Sequence, residues 1–574
     1  MCNRSLACRF IPVAGLAAAL WAVSGCSTNP LASSDDDYGR RVSIARLRDI
    51  DSMDIQQFEA PEREEKTEIP EAIRRLQTRF DNKDTVDLTL EEARVLVLRN
   101  NLDLKVALIN PEIANQRVTA EEAAFESVFD LVARYNNIDS ATTTALDSAQ
   151  AEIGTVVPSV TVPLRTGGTM SFGMPVGRNK NDNAFTTLNP AYTTDFEFSL
   201  SHNLLRGAGR RTNSHGIRIA AYDEQISEAA TKLEIIRQIA GADRAFWRLY
   251  QARSELDVSQ QQLEIAQEQL ERAEHRVDAG KVAEIEVIRA QSGVADQLEA
   301  ILIRQNAVLR QQREVKRILN APGLDLGDET MIVPTSLPDP VEFEFDPPAL
   351  RDTAIANRME MLELEIQLAR DASTIDFNKN QALPLFTMDY TYRVNGIGDS
   401  VDSATDSMFD NDFADWELGL RAQVPIGNEA AKSRVRSSIF GRLQRLRTKE
   451  ARALAITQEV YDAIDEIKVS WQRILAAQLS VVLNTRTLAG EQRQFDVGNR
   501  TSTDVLIAAN QLASAQIDEI RAIVDYQIAQ TDLAFATGTL LGQTRVEWAP
   551  VNPSVQNSGG IHMDESPPQL PDAE

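Results

Sequence analysis

The sequence predicts an α+β chain built twice from one unit: a pair of two-faced strands followed by a very long helical hairpin. Three observations predict it. Motifs recur at a nearly constant offset, short segments alternate apolar with polar residues, and long proline-free stretches carry apolar side chains at every seventh position.

The duplication comes first because it sets the architecture. Gly207, in FEFSLSHNLLRG, matches Gly427, in WELGLRAQVPIG, 220 positions later, and Gly280 matches Gly498, 218 positions later. Segments upstream agree, since VLRNNLDLKVA (97–107) resembles IANRMEMLELE (355–365). The first repeat spans 89–335, with strands near 128–136 and 194–204 and helices near 212–279 and 281–320. The second spans 336–549, with strands near 384–393 and 414–424 and helices near 429–497 and 501–541.

The strands have period two. Phe386, Met388, Tyr390 and Tyr392 alternate with Thr387, Asp389, Thr391 and Arg393, and Trp416, Leu418 and Leu420 with Asp415, Glu417 and Arg421. Phe129, Leu131, Ala133 and Tyr135, then Phe196, Phe198 and Leu200, repeat the pattern in the first half. One face is apolar and the other polar, as in a sheet on a core or in the wall of a membrane barrel.

The helices have period seven. Leu249, Leu256, Leu263, Leu270 and Val277 form one seam, and Ile288, Ala295, Leu302 and Leu309 are expected to form the returning one. Val460, Ile464, Ile467, Trp471 and Ile474, then Leu506, Ala513 and Ile520, do the same in the second half. A helix of roughly 67 residues at 1.5 Å each runs about 100 Å, several bilayer thicknesses.

Composition narrows the function. The formal net charge is −26, which disfavours nucleic acid as a partner. Cys2, Cys8 and Cys26 are the three cysteines, so the body of the chain has no disulfide framework. Arg4, Arg9 and the apolar run FIPVAGLAAALWAV read as a signal peptide over 1–25. VSGC (23–26) resembles a bacterial lipobox, which marks Cys26 for lipidation; Val23 departs from the usual leucine, and Ser27 by the same resemblance permits an outer-membrane destination. Residues 26–88 read as an acidic periplasmic lead-in and 550–574 as a disordered tail. Beyond the signal no apolar segment is long enough for a membrane helix, so a membrane crossing requires a closed barrel. Four strands cannot close one, so several copies must contribute.

No catalytic constellation is present: the four histidines, His202, His215, His275 and His562, lack metal-ligand spacing, and no glycine loop cradles phosphate. The expectation is a non-enzyme without cofactor or metal.

VGNRTSTDVL (497–506) and its repeat partner AGKVAEIEVI (279–288), with the strand–helix order, resemble the TolC-like outer-membrane efflux proteins over residues 85–549. The resemblance implies a homotrimer whose four strands per chain close a twelve-stranded barrel in outer-membrane lipid, continued by an α-helical barrel through the periplasm. It implies a passive exit duct of a tripartite efflux or type I secretion system, partnered by a periplasmic adaptor (a membrane fusion protein) and an inner-membrane RND or ABC transporter. Gly280 and Gly498 would turn the hairpins at the closed periplasmic tip. Glu286, Asp504 and Arg500 would form the constriction, with Arg500 linked to Glu286 of a neighbouring hairpin; Ile507 departs from a second acidic layer. The alternative is a lipid-anchored coiled-coil scaffold or adaptor without a pore.

Residues 155–176 have no counterpart in the second half and read as strand, TGG turn and strand, an extra hairpin near 158–175. It is expected at the extracellular end. Two added wall strands would widen the barrel beyond the helical tunnel that it joins.

Overall fold

The computed structural model describes residues 83–143 and 147–547, with the backbone of His562–Met563. The signal peptide, Cys26, most of the acidic lead-in and most of the tail lie outside the described residues. Two corrections fall at the margins. The end of the lead-in is structured, because β1 (Thr85–Leu88) pairs in parallel with β7 (Met331–Pro334), burying Leu88 and Ile332. His562–Met563, within the tail expected to lack structure, pairs antiparallel with Val546–Glu547.

Each half opens with two helices, α1 (Leu90–Asn100) and α2 (Leu102–Ala123) in the first, α5 (Pro347–Asn357) and α6 (Met359–Gln381) in the second. A capping box starts α1: Thr89 Oγ1 accepts the Glu92 N–H at 3.2 Å, and the Glu92 carboxylate accepts the Thr89 N–H at 2.9 Å. The long helices are α3 (His215–Asp278, 64 residues) and α8 (Glu429–Asp496, 68 residues). Each is thus about 100 Å long. The return helices α4 (Ile285–Leu319) and α9 (Ser502–Ala536) have 35 residues each, about half that length. α3 therefore packs along α4 over one part and α2 over another, and α8 along α9 and α6 in the same way.

The seam of α3 is buried at Leu249, Leu256 and Leu263, and that of α8 at Val460, Ile464, Ile467 and Ile474. The returning seam differs from expectation. Ile288 and Leu302 are exposed, and α4 buries Val294, Leu298, Ile301, Val308 and Val315 instead. Both stripes are apolar, and the one that α3 and α9 cover is displaced around the helix.

The sheet contains the four duplicated strands, β2 (Val128–Asp139), β6 (Ala191–Asn203), β8 (Leu385–Gly398) and β9 (Phe413–Gln423). It is wider than those four. β3 (Gln150–Leu164), β4 (Gly168–Gly173) and β5 (Val176–Asn181) lie between β2 and β6, giving the order β2-β3-β4-β6-β8-β9 with β5 also bonded to β3 and β6. The inserted segment is therefore not a separate hairpin at one end; it is part of the sheet, six positions wide instead of four. β4 and β5 are one strand in effect, since Gly173↔Ser159 and Val176↔Val156 keep one register. They are interrupted at Met174 and Pro175, the second of which has no N–H for the ladder. A short helix, α7 (Val401–Phe409), packs on β6 and β8, with Ala404 and Met408 buried.

Candidate functional site

Two hairpin ends lie side by side and carry every residue expected to act as a gate. Each is closed by the same backbone device. Gly280 (φ 68°) donates to the Val277 carbonyl at 2.8 Å while Lys281 donates to Arg276 at 2.9 Å. Gly498 (φ 84°) donates to Phe495 at 2.9 Å while Asn499 donates to Gln494 at 2.9 Å. These are paired Schellman motifs, and positive φ at that position is why both are glycine.

The chain restarts differently on the two sides. α9 has a capping box: Thr501 donates its N–H and hydroxyl to the Asp504 carboxylate, both at 2.9 Å. The Thr501 backbone bond, then its hydroxyl, holds the Asp504 carboxyl below the usual carboxylate range. α4 has no side-chain cap of its own. Its acid, Glu286, is buried and reaches to the other hairpin, where it accepts the Ser502 N–H at 2.9 Å at the start of α9. Its second oxygen meets Arg289 at 2.5 Å.

Arg500 and Glu286 are not paired within the chain. Arg500 Nε stands 3.1 Å from Glu491 on the last turns of α8. Within the chain, Glu286 joins the hairpins through a backbone amide, and the arginine that joins them is Arg276. Its guanidinium lies 4.5 Å over the Phe495 ring and donates to the Phe495 carbonyl. The first hairpin so presents a cation to the carbonyl end of α8 and an anion to the amide end of α9, matching both helix dipoles. Arg276 escaped the sequence reading because it precedes the glycine, where a basic residue reads only as a helix C-terminal preference.

Further along, Gln269 donates to Ser502 Oγ at 3.3 Å and Gln297 to Asn510 at 2.9 Å. At Gly293 an added Cβ would lie 2.6 Å from Leu506 Cδ1, so glycine lets α4 and α9 approach. Ile507 is exposed beside Asp504. Among the described residues no group of His, Cys, Asp or Glu could hold a metal, and no described helix is long and apolar enough to cross a membrane.

This duplicated hairpin, fed by a two-faced sheet, matches the family model described as "Outer membrane efflux protein" over residues 169–321 and 350–539, one block in each repeat. The chain belongs to the outer membrane efflux protein family. The efflux-protein match also extends to a curated relative, the outer membrane protein TolC of Vibrio cholerae, 24% identical over 322 residues, 55% of this chain and 70% of that one. Among solved structures, CusC shares the fold with a TM-score of 0.59 at 13% identity, covering 80% of this chain and 95% of its own. The Campylobacter jejuni CmeC outer membrane channel does so with a TM-score of 0.58 at 14% identity, covering 79% and 86%.

Proposed function

We propose that this efflux protein is a passive, trimeric exit duct of a tripartite efflux or type I secretion system, set in the outer membrane and extending into the periplasm. The observation that carries this is the junction of a two-faced sheet with two paired helical hairpins. The apolar face suits lipid, the polar face suits a water-filled lumen, and helices about 100 Å long continue the conduit.

Unfilled surfaces support assembly with further copies. Among the described residues β2 and β9 each keep one unpaired edge, and an open edge in lipid would be costly. α2 exposes Leu102, Val106, Ile109 and Ile113, and α8 exposes Phe440, Leu443, Leu454 and Leu479, stripes suited to a neighbouring subunit. Transport energy comes from an inner-membrane RND or ABC transporter through a periplasmic adaptor, and Cys26 carries a lipid that adds to membrane attachment. Asp504 faces the entrance and favours cations, while Glu286 and Arg276 keep the hairpin ends together.

Purified protein in planar bilayers tests the reading. Cation-selective channels that widen when the hairpin ends are unlinked are expected. A stable trimer that never conducts, with or without those links, supports the pore-less scaffold instead.

A further inference from the structure

Over Val156–Leu164 and Gly168–Val176 the inserted strands are two-faced in the same sense as the duplicated ones; towards the far end of β3 and β5 the apolar face gives way to Glu152, Arg178 and Lys180, which pair with one another. Register carries one row across the whole sheet: Phe129, Val160, Phe172, Phe198, Tyr392 and Trp416 stand side by side on one face, one from each strand position. Phe172 and Phe198 make ring contact with centroids 5.3 Å apart. A parallel row holds Val162, Met170, Leu200, Tyr390 and Leu418.

The opposite face is polar along matching rows. Thr161, Ser171, Ser199, Thr391 and Glu417 form one, in which the Ser171 and Ser199 hydroxyls are 2.7 Å apart. Ser201 donates to Asp389 at 2.6 Å in the next. A hairpin standing off the sheet in water has no need to alternate in register with the wall. A hairpin inside the wall has to, because a slip of one residue would turn its polar side chains to lipid.

We propose that the insertion is barrel wall, so that each chain gives six strands and three chains close an eighteen-stranded barrel whose outer mouth admits bulky or polymeric solutes. The inference rests on the trimeric barrel reading. Barrel diameter grows roughly linearly with strand number, so this mouth is about one and a half times as wide as that of a twelve-stranded barrel and about twice its cross-section. Barrels of roughly this strand number hold open aqueous channels. The helical part has two hairpins per chain and does not widen with the insertion. The conduit therefore flares outward, and selection by size falls to the hairpin ends.

Spin labels at single introduced cysteines in reconstituted full-length trimers, corrected for labelling of the parent chain, test the wall. Val160→Cys and Phe172→Cys are expected to be reached by oxygen dissolved in lipid, and Ser159→Cys and Ser171→Cys by a water-soluble nickel chelate. Tyr390→Cys and Thr391→Cys are the reference pair on a duplicated strand. If the reference pair alternates but both insertion faces are reached only by the chelate, the insertion lies outside the wall and the inference is wrong. If the reference pair also fails to alternate, the barrel reading itself falls. Electron cryo-microscopy of the trimer gives an independent count: eighteen strands support the proposal, and twelve with a separate hairpin overturn it. Polyethylene glycols of graded size, added on the outer side of a planar bilayer, should enter the mouth and lower conductance up to a size cut-off near one and a half times that of a twelve-stranded barrel.

Discussion

The carboxylate of Glu286, on the first hairpin, accepts the backbone N–H of Ser502, the first residue of α9 on the second hairpin, at 2.9 Å. It is a buried, charge-assisted bond from one hairpin to the amide end of a helix in the other. Such bonds contribute about 1.5–3 kcal/mol, whereas the half-exposed pair of Arg500 with Glu491 contributes about 1 kcal/mol. Glu286→Ala should therefore raise single-channel conductance well above the parent, and Arg500→Ala should change it little. A larger opening from Arg500→Ala than from Glu286→Ala, with trimers intact, would reverse the assignment.

Arg276 acts by charge and by shape, since its planar guanidinium covers Phe495 while donating to that residue's carbonyl. Lysine keeps the charge and loses the plane. Arg276→Lys is expected to recover only part of the opening caused by Arg276→Ala. Recovery to the parent conductance would mean that charge alone holds the end of α8.

At Gly293 the two return helices are in close contact through Leu506. Gly293→Ala should lower stability by no more than about 1 kcal/mol, since the overpacking falls on the end of the flexible Leu506 side chain and alanine's better helix propensity offsets part of it. Leu506→Ala in the same chain should remove most of that penalty. Additive losses in the double variant would show that the two residues do not share the contact.

The pH dependence centres on Glu360 at the start of α6. Burial pushes its carboxyl upward, but hydrogen bonds from Arg358 and Arg452 prevail and hold it at about 2, against an ordinary 4.5. A depressed acid stabilises the fold above its unfolded pKa, and the contribution, on the order of 2–3 kcal/mol, is lost as pH falls from about 4.5 towards 2. Denaturant unfolding of Glu360→Gln should thus show a deficit at pH 7 that shrinks below pH 4.5. A deficit unchanged down to pH 3 would exclude the ionised carboxylate as its source.

The sequence alone determined the features that depend on neighbours along the chain. Gly280 and Gly498 were legible because a Schellman turn demands positive φ at one position, and the four duplicated strands because period-two alternation follows from the pleat. The duplication and the long helices followed from offsets and heptads. Tertiary structure decided what depends on contacts distant in sequence. α4 has two apolar stripes, and only packing against α3 and α9 selects Val294, Leu298 and Ile301 over Ile288 and Leu302. Arg500 has Glu491, Asp496 and Asp504 near it in sequence and Glu286 in the matching turn of the other repeat, and only the folded chain places Glu491, not its own Glu286, at the end of its side chain. Pro158 and Pro163 are signals of an edge or a loop, yet β3, which carries both, sits inside the sheet, because strand order is set by which edges meet in space and not by local preference.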